Sequence, residues 1–186
     1  MQSRGLLMIE HRLIERMISQ VKKALDRLRQ EGSIDPHFID VAVDFVRTYA
    51  DRTHHGKEED ILFRGLESRP LSDNDRRVMG ELIQDHIFGR QKTHALIDAN
   101  NKYRTGNQAA LADVSEALHA LVEFYPMHIQ KEDKLFFPAA RAYFTEDEDM
   151  ALLTAFHDFD REMIHEKYKS VVESMEQAKV GPYQAL

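Results

Sequence analysis

In the last quarter of the chain, apolar residues recur at Met150, Leu153, Phe156, Phe159 or Asp160, Met163, Tyr168, Val171 and Met175. Steps of three and four place them on one face of an α-helix, with one ambiguous step at 159–160. Elsewhere the chain has no alternating β-branched run. It is rich in Ala, Leu, Glu, Lys, Arg, Met and Gln, residues that lose little on entering a helix. Four breaks punctuate it. Gly32-Ser33-Ile34-Asp35-Pro36 reads as a stop followed by a cap and a first-turn proline. The stretch from Ser68 to Asn74 is a turn ending in cap residues, Thr105-Gly106-Asn107 is a third break, and Thr145 with Glu148 forms a capping box. The segments between run to roughly 30–35 residues, about 45–50 Å if helical. Short connections between long helices make antiparallel neighbours. The pattern predicts an all-α fold: an up-down-up-down four-helix bundle over about residues 5–142, with an additional C-terminal helix over about 145–179, in a single domain spanning 1–186.

Composition narrows the chemistry. A chain of 186 residues can bury a core without covalent staples. The net charge of −7 argues against nucleic acid or an anionic membrane surface as partner. No apolar run of about 18 residues occurs. The start carries no leader-type cleavage site, so a cytoplasmic location is expected. There is no cysteine, which removes disulfides, thiol catalysis, iron–sulfur clusters and thiolate zinc sites. With ten histidines available, a metal site here must use nitrogen and oxygen donors.

Six of the ten histidines have an acid four residues on: His11, His54, His55, His94, His119 and His128. Chance gives about two such helical i,i+4 pairs. An internal repeat selects among them. His54-His55-Gly56-Lys57-Glu58-Glu59-Asp60-Ile61-Leu62-Phe63 aligns with His128-Ile129-Gln130-Lys131-Glu132-Asp133-Lys134-Leu135-Phe136-Phe137, and Glu10-His11 aligns with Asp85-His86. Each half thus carries one lone histidine and one His-x-x-x-Glu. Packed face to face, two such hairpins bring His11, His54, His86 and His128 together with Glu58 and Glu132. Two carboxylates bridging two metals, with two imidazoles on each, make a dinuclear site suited to iron or manganese. Buried glutamates without a cation would be costly.

Other residues take plainer readings. Glu10 and Asp85 point to another helix face and read as solvated charges. His157 reads as partly buried, and His37, His94 and His119 as surface residues. His165 has no assigned role, and Tyr49 and Tyr125 read as core. Pro126, two residues before His128, removes one helix hydrogen bond and can kink the helix that carries it.

The pattern His11, His54-x-x-x-Glu58, His86, His128-x-x-x-Glu132 resembles the hemerythrin-like family, the HHE cation-binding domains, over about residues 5 to 142. The resemblance implies a non-haem centre of two iron ions with an oxo or hydroxo bridge, manganese, zinc or a mixed centre fitting the same donors. It implies binding of, or reaction with, a small ligand such as O2, NO or H2O2, in sensing, scavenging or stress response. Turnover, if any, would be a weak peroxidase or oxidase type with no separate catalytic residue. Oxygen-carrying members place a fifth histidine where this chain has Arg90. Each metal would then have four protein ligands and keep an open position, which favours reaction over reversible storage. Arg90, His55 and Glu59 are candidates to support the ligands from outside. Iron-centre repair and iron handling belong to the same family, but the repair proteins carry a cysteine-containing module that is missing here. The competing readings are a ferritin-like enzyme using Glu116-x-x-His119 and Glu162-x-x-His165, and a metal-free helical interaction module. The last helix either covers the bundle or pairs with a second copy in a homodimer.

Overall fold

The computed structural model describes residues 3–160 and 162–177, and among these every regular element is a helix. Helix α1 spans Ser3–Glu31 and stops at Gly32, whose φ of 70° lies in the left-handed region that glycine enters without strain. Helix α2, Pro36–Phe45, starts with proline in its first turn and with the Asp35 side chain accepting the His37 N–H at 2.9 Å. The same rod continues as π-helical turns over Val46–His55 and Glu58–Phe63 and ends as α3, Arg64–Glu67. Helix α4, Asp73–Arg104, is capped by Ser72, which accepts the Asp75 N–H. After a turn through Gly106 (φ 96°), α5 runs Ala110–Lys131, with Pro126 inside it and unbroken there. It continues as a π-helical turn, Glu132–Phe136, and α6, Phe137–Ala140. Helices α7, Glu146–Phe159, and α8, Glu162–Gln177, close the described chain, α7 starting at the Thr145–Glu148 capping box.

The expected single C-terminal helix is therefore two. Asp160 adopts an extended backbone (φ −78°, ψ 124°) between them, and its carboxylate turns inward to Lys57 and His165. Of the expected stripe, Leu153, Phe156 and Tyr168 are buried, whereas Met150 and Phe159 are exposed. The Met163 side chain and residues 178–179 lie outside what the structure describes.

Two apolar clusters make the core. The larger holds Leu13 to Leu28 of α1, Ile39 to Ala50 of the second rod, Leu96 and Ala99 of α4, and Val114 to Ile129 of α5, with Tyr168 and Val172 of α8. The smaller holds Leu7, Leu62, Phe63, Leu66, Leu82, Phe136, Phe137 and Phe156 among others. The chain passes from small cluster to large along α1 and α4, and from large to small along the other two rods. His11, His54, His86 and His128 each lie where their rod crosses between the clusters. A polar layer is thereby held between two dry ones, where charges interact more strongly than in water. No helix among the described residues is long and apolar enough to cross a membrane.

Candidate metal centre

The crossing layer contains two groups of donors. In the first, His11, His54, Glu58 and Glu132 each offer one ligand atom, all within 4.8 Å of one another; in the second, His55, His86 and His128 do the same. The carboxylates face both. Glu58 Oε1 lies 3.5 Å from His54 Nε2 and its Oε2 lies 3.4 Å from His86 Nε2. Glu132 Oε2 lies 3.1 Å from His11 Nε2, and its Oε1 lies 3.3 Å from His128 Nε2 and 3.7 Å from His86 Nε2. All seven residues are at most 2% exposed.

The inner atoms are poorly satisfied. Both oxygens of Glu58 and of Glu132, both ring nitrogens of His55, and Nε2 of His86 and His128 are buried without a hydrogen bond. Orphaned buried groups of this kind cost roughly 1–3 kcal/mol each, more when charged. Convergent nitrogen and oxygen lone pairs with two spanning carboxylates fit a pair of divalent cations.

The outer nitrogens of the four histidines other than His55 are all used. Nδ1 of His11 lies 2.7 Å from Asp133, that of His54 2.8 Å from Glu10, that of His86 2.6 Å from Glu59 and that of His128 3.3 Å from Asp85. A carboxylate only accepts, so each Nδ1 donates and each Nε2 is the nitrogen turned toward the inner layer. A cation backs every one of these acids: Arg12 on Asp133, Lys57 on Glu10, Arg90 on Glu59, and Lys131 on Asp85. Arg90 also holds Asp51 at 2.7 Å, and Asp51 lies 3.5 Å from His55 Nδ1.

This ring follows the repeat. The acid before each lone histidine, Glu10 or Asp85, meets the His-x-x-x-Glu histidine and the motif lysine of its own hairpin. The acid after each motif glutamate, Glu59 or Asp133, meets the lone histidine of the other hairpin.

Charge is distributed unevenly. Burial, then the neighbouring Glu132, pushes the Glu58 carboxyl well above its usual range. Burial opposes the charge of Glu132 too, but His128, His11 and His86 outweigh it and hold that carboxyl well below. For His11, burial is overcome by the hydrogen bond to Asp133 and the closeness of the Glu132 carboxylate, raising it to about 9. Burial and the adjacent His11 push His54 down to about 4, and burial with His86 and His128 pushes His55 well down.

All six residues of the expected ligand set are in this layer, with Arg90 and Glu59 directly outside it. His55 is inside it: its ring stacks on His86 with centroids 3.9 Å apart. A straight α-helix would set His54 and His55 about 100° apart. The π-helical turns here bond five residues back, and the wider turn narrows that step. Glu10 and Asp85 are not solvated charges as the sequence suggested. Glu10 is 1% exposed and aims His54, and Asp85 aims His128. The signal was present in the alignment, since Glu10, Lys57 and Glu59 all have counterparts in Asp85, Lys131 and Asp133. His157 is exposed rather than partly buried, and His37, His94 and His119 are exposed. Glu116 lies with His119 on the exposed face of α5, so that Glu-x-x-His pair does not enter the layer; the Glu162 side chain lies outside the described residues.

Among curated proteins the chain is similar to an uncharacterized protein of Mycobacterium bovis and to uncharacterized proteins of two Mycobacterium tuberculosis strains. Each is 23% identical over 171 residues, which is 91% of this chain. The match spans 66% of the length of these relatives. No solved structure matches the chain. The family model for the hemerythrin HHE cation-binding domain matches residues 4–113, a span that takes in His11, His54, His55, Glu58 and His86 and stops before His128 and Glu132. With more than half of its length matched, this chain belongs to the hemerythrin HHE cation-binding domain family.

Proposed function

We propose that the chain is a non-haem di-iron protein built as an up-down-up-down four-helix bundle with α7 and α8 laid against it. His11 and His54 hold one metal, His55, His86 and His128 hold the other, and Glu58 and Glu132 span both. The observation that carries this reading is that each glutamate turns one oxygen to each histidine group. His55 supplies the third imidazole that Arg90 cannot, so the two metals differ: two imidazoles on one, three on the other. Iron suits an all-nitrogen-and-oxygen donor set, and manganese fits the same atoms.

Bound iron would supply electrons and open positions for O2, NO or peroxide, with the more open position on the His11–His54 side. The chain's own part is to keep that ligand away from bulk water and to aim each imidazole through a fixed acid. Sensing or scavenging inside the cytoplasm fits this arrangement better than storage. The experiment is metal analysis of the purified protein, with visible spectra taken before and after dithionite and O2. About two irons per chain, with bands that change on reduction, is the expected result. A folded protein that takes up no metal overturns the reading.

A further inference from the structure

The two acids that aim the motif histidines sit in different surroundings. Asp85 and Lys131 are each about a quarter exposed (26% and 27%). Glu10 and Lys57 are 1% and 0% exposed, because α7 and α8 cover them. The Lys57 ammonium donates to Glu10 and also to both oxygens of Asp160, at 2.7 and 2.6 Å. Asp160 takes His165 Nε2 at 2.8 Å, and His165 Nδ1 lies 3.0 Å from the Tyr49 hydroxyl. Glu10, Asp160 and His165 have the spacing of a third cation site, and the Lys57 ammonium is the cation among them.

The chain is shaped to make this contact. The helix breaks at Asp160, at the step where the apolar stripe loses its phase. Just before the break the Phe159 ring lies on Gly56, where a Cβ would come within 2.8 Å of it. Gly56 sits between His55 and Lys57, so the α7–α8 elbow rests directly on the ligand-bearing segment. A buried ion pair is weak support for stability by itself, since desolvation offsets much of the attraction. What this one does is fix a geometry. Asp160 holds Lys57, Lys57 holds Glu10, and Glu10 holds the His54 ring.

Resting on the two-metal reading above, we infer that Asp160 is a positioning residue for the metal of His11 and His54, so that the C-terminal elbow tunes one metal site and leaves the other alone. The test is titration of the metal-free full chain with Co(II), followed by visible absorption. Wild type is expected to take two equivalents. Asp160→Ala is expected to weaken one of them by about 10–100-fold and shift its absorption band, with the other unchanged. Asp160→Asn, which keeps the shape and one acceptor oxygen, falls between. In a His54→Ala background, adding Asp160→Ala produces no further loss. His165→Gln, a milder change at a half-buried residue, gives the same selective weakening at smaller size and serves if Asp160→Ala does not fold. A wild-type chain that binds no cobalt overturns the metal reading and this one with it. Two tight equivalents that survive Asp160→Ala, or that weaken together in step with a lower Tm, overturn this inference alone.

Discussion

His86 turns its Nδ1 to Glu59 of the other hairpin at 2.6 Å, and Arg90, one turn further along α4, holds the same Glu59 oxygen at 2.7 Å. The arginine that stands in place of a fifth helical histidine thus anchors the acid that aims an existing one. Glu59→Gln is expected to lower metal affinity about 10–100-fold, with the loss falling on the three-histidine side. Competition against a chelator measures it. Unchanged affinity would show that the contact is only packing.

His55 separates the seven-residue site from a six-residue one. His55→Ala is expected to leave fewer than two metals per chain, or to bind the second much more weakly, whereas His94→Ala on an exposed face of α4 changes nothing. Metal analysis after gel filtration decides it. Two tightly held metals in His55→Ala would reduce His55 to a stacking partner of His86.

Metal binding is expected to release protons. At pH 7 without metal, His11, raised to about 9, carries a proton, and burial beside Glu132 shifts the Glu58 carboxyl toward its protonated form. Protons held on these groups must leave for their atoms to coordinate, so protons come off on binding and affinity climbs as pH rises toward 9. An indicator dye in weak buffer counts them. A binding curve flat with pH between 6 and 9 (roughly the span of these shifts) is the contrary result.

The metal-free fold has its own pH dependence, with opposite signs for two neighbours. His11 has a folded pKa above its unfolded one, so its contribution is complete below about 6.5 and is lost as pH rises through about 9. His54, lowered to about 4, binds its proton more readily when unfolded, so stability is lost as pH falls from about 6.5 toward 4. Urea melts of the metal-free protein should be most stable between these losses, near neutrality.

Lys57 and Lys131 occupy matching places in the repeat, yet their removal should cost different amounts. Lys57→Met leaves Glu10 and Asp160 buried without a cation and is expected to destabilise by about 3–5 kcal/mol. Lys131→Met breaks a part-exposed pair and is expected to cost about 0–1 kcal/mol. Equal losses in chemical denaturation would contradict the difference in burial.

Much of this was legible in the sequence. The caps at Asp35, Ser72 and Thr145 act through local hydrogen bonds, so their residues declare themselves. The six candidate ligands emerged because the repeat placed them at matched positions. What stayed hidden depends on non-local partners. Glu10 looked like a solvated charge because its lysine lies 47 residues away and its cover comes from α7 and α8. His55 falls outside the repeat-derived ligand set because the repeat matches it to Ile129, and the π-helical turns that carry it leave no mark in that alignment. The break at Asp160 was visible only as a stutter in an apolar stripe, since the lysine its carboxylate meets lies 103 residues away.

The exchange of acids between hairpins also governs how such a chain can change over generations. A substitution at Glu59 is felt at His86, and one at Asp133 is felt at His11, so neither copy can drift without its twin registering the loss. A hairpin on its own would offer three imidazoles in one case and two in the other, with one carboxylate and its lone histidine unaimed. Two copies in one chain relax that constraint at the positions the exchange does not use. There the copies are free to differ, and they do differ where one carries His55 and the other Ile129. A repeated plan and two unlike donor groups are, in this chain, compatible for that reason.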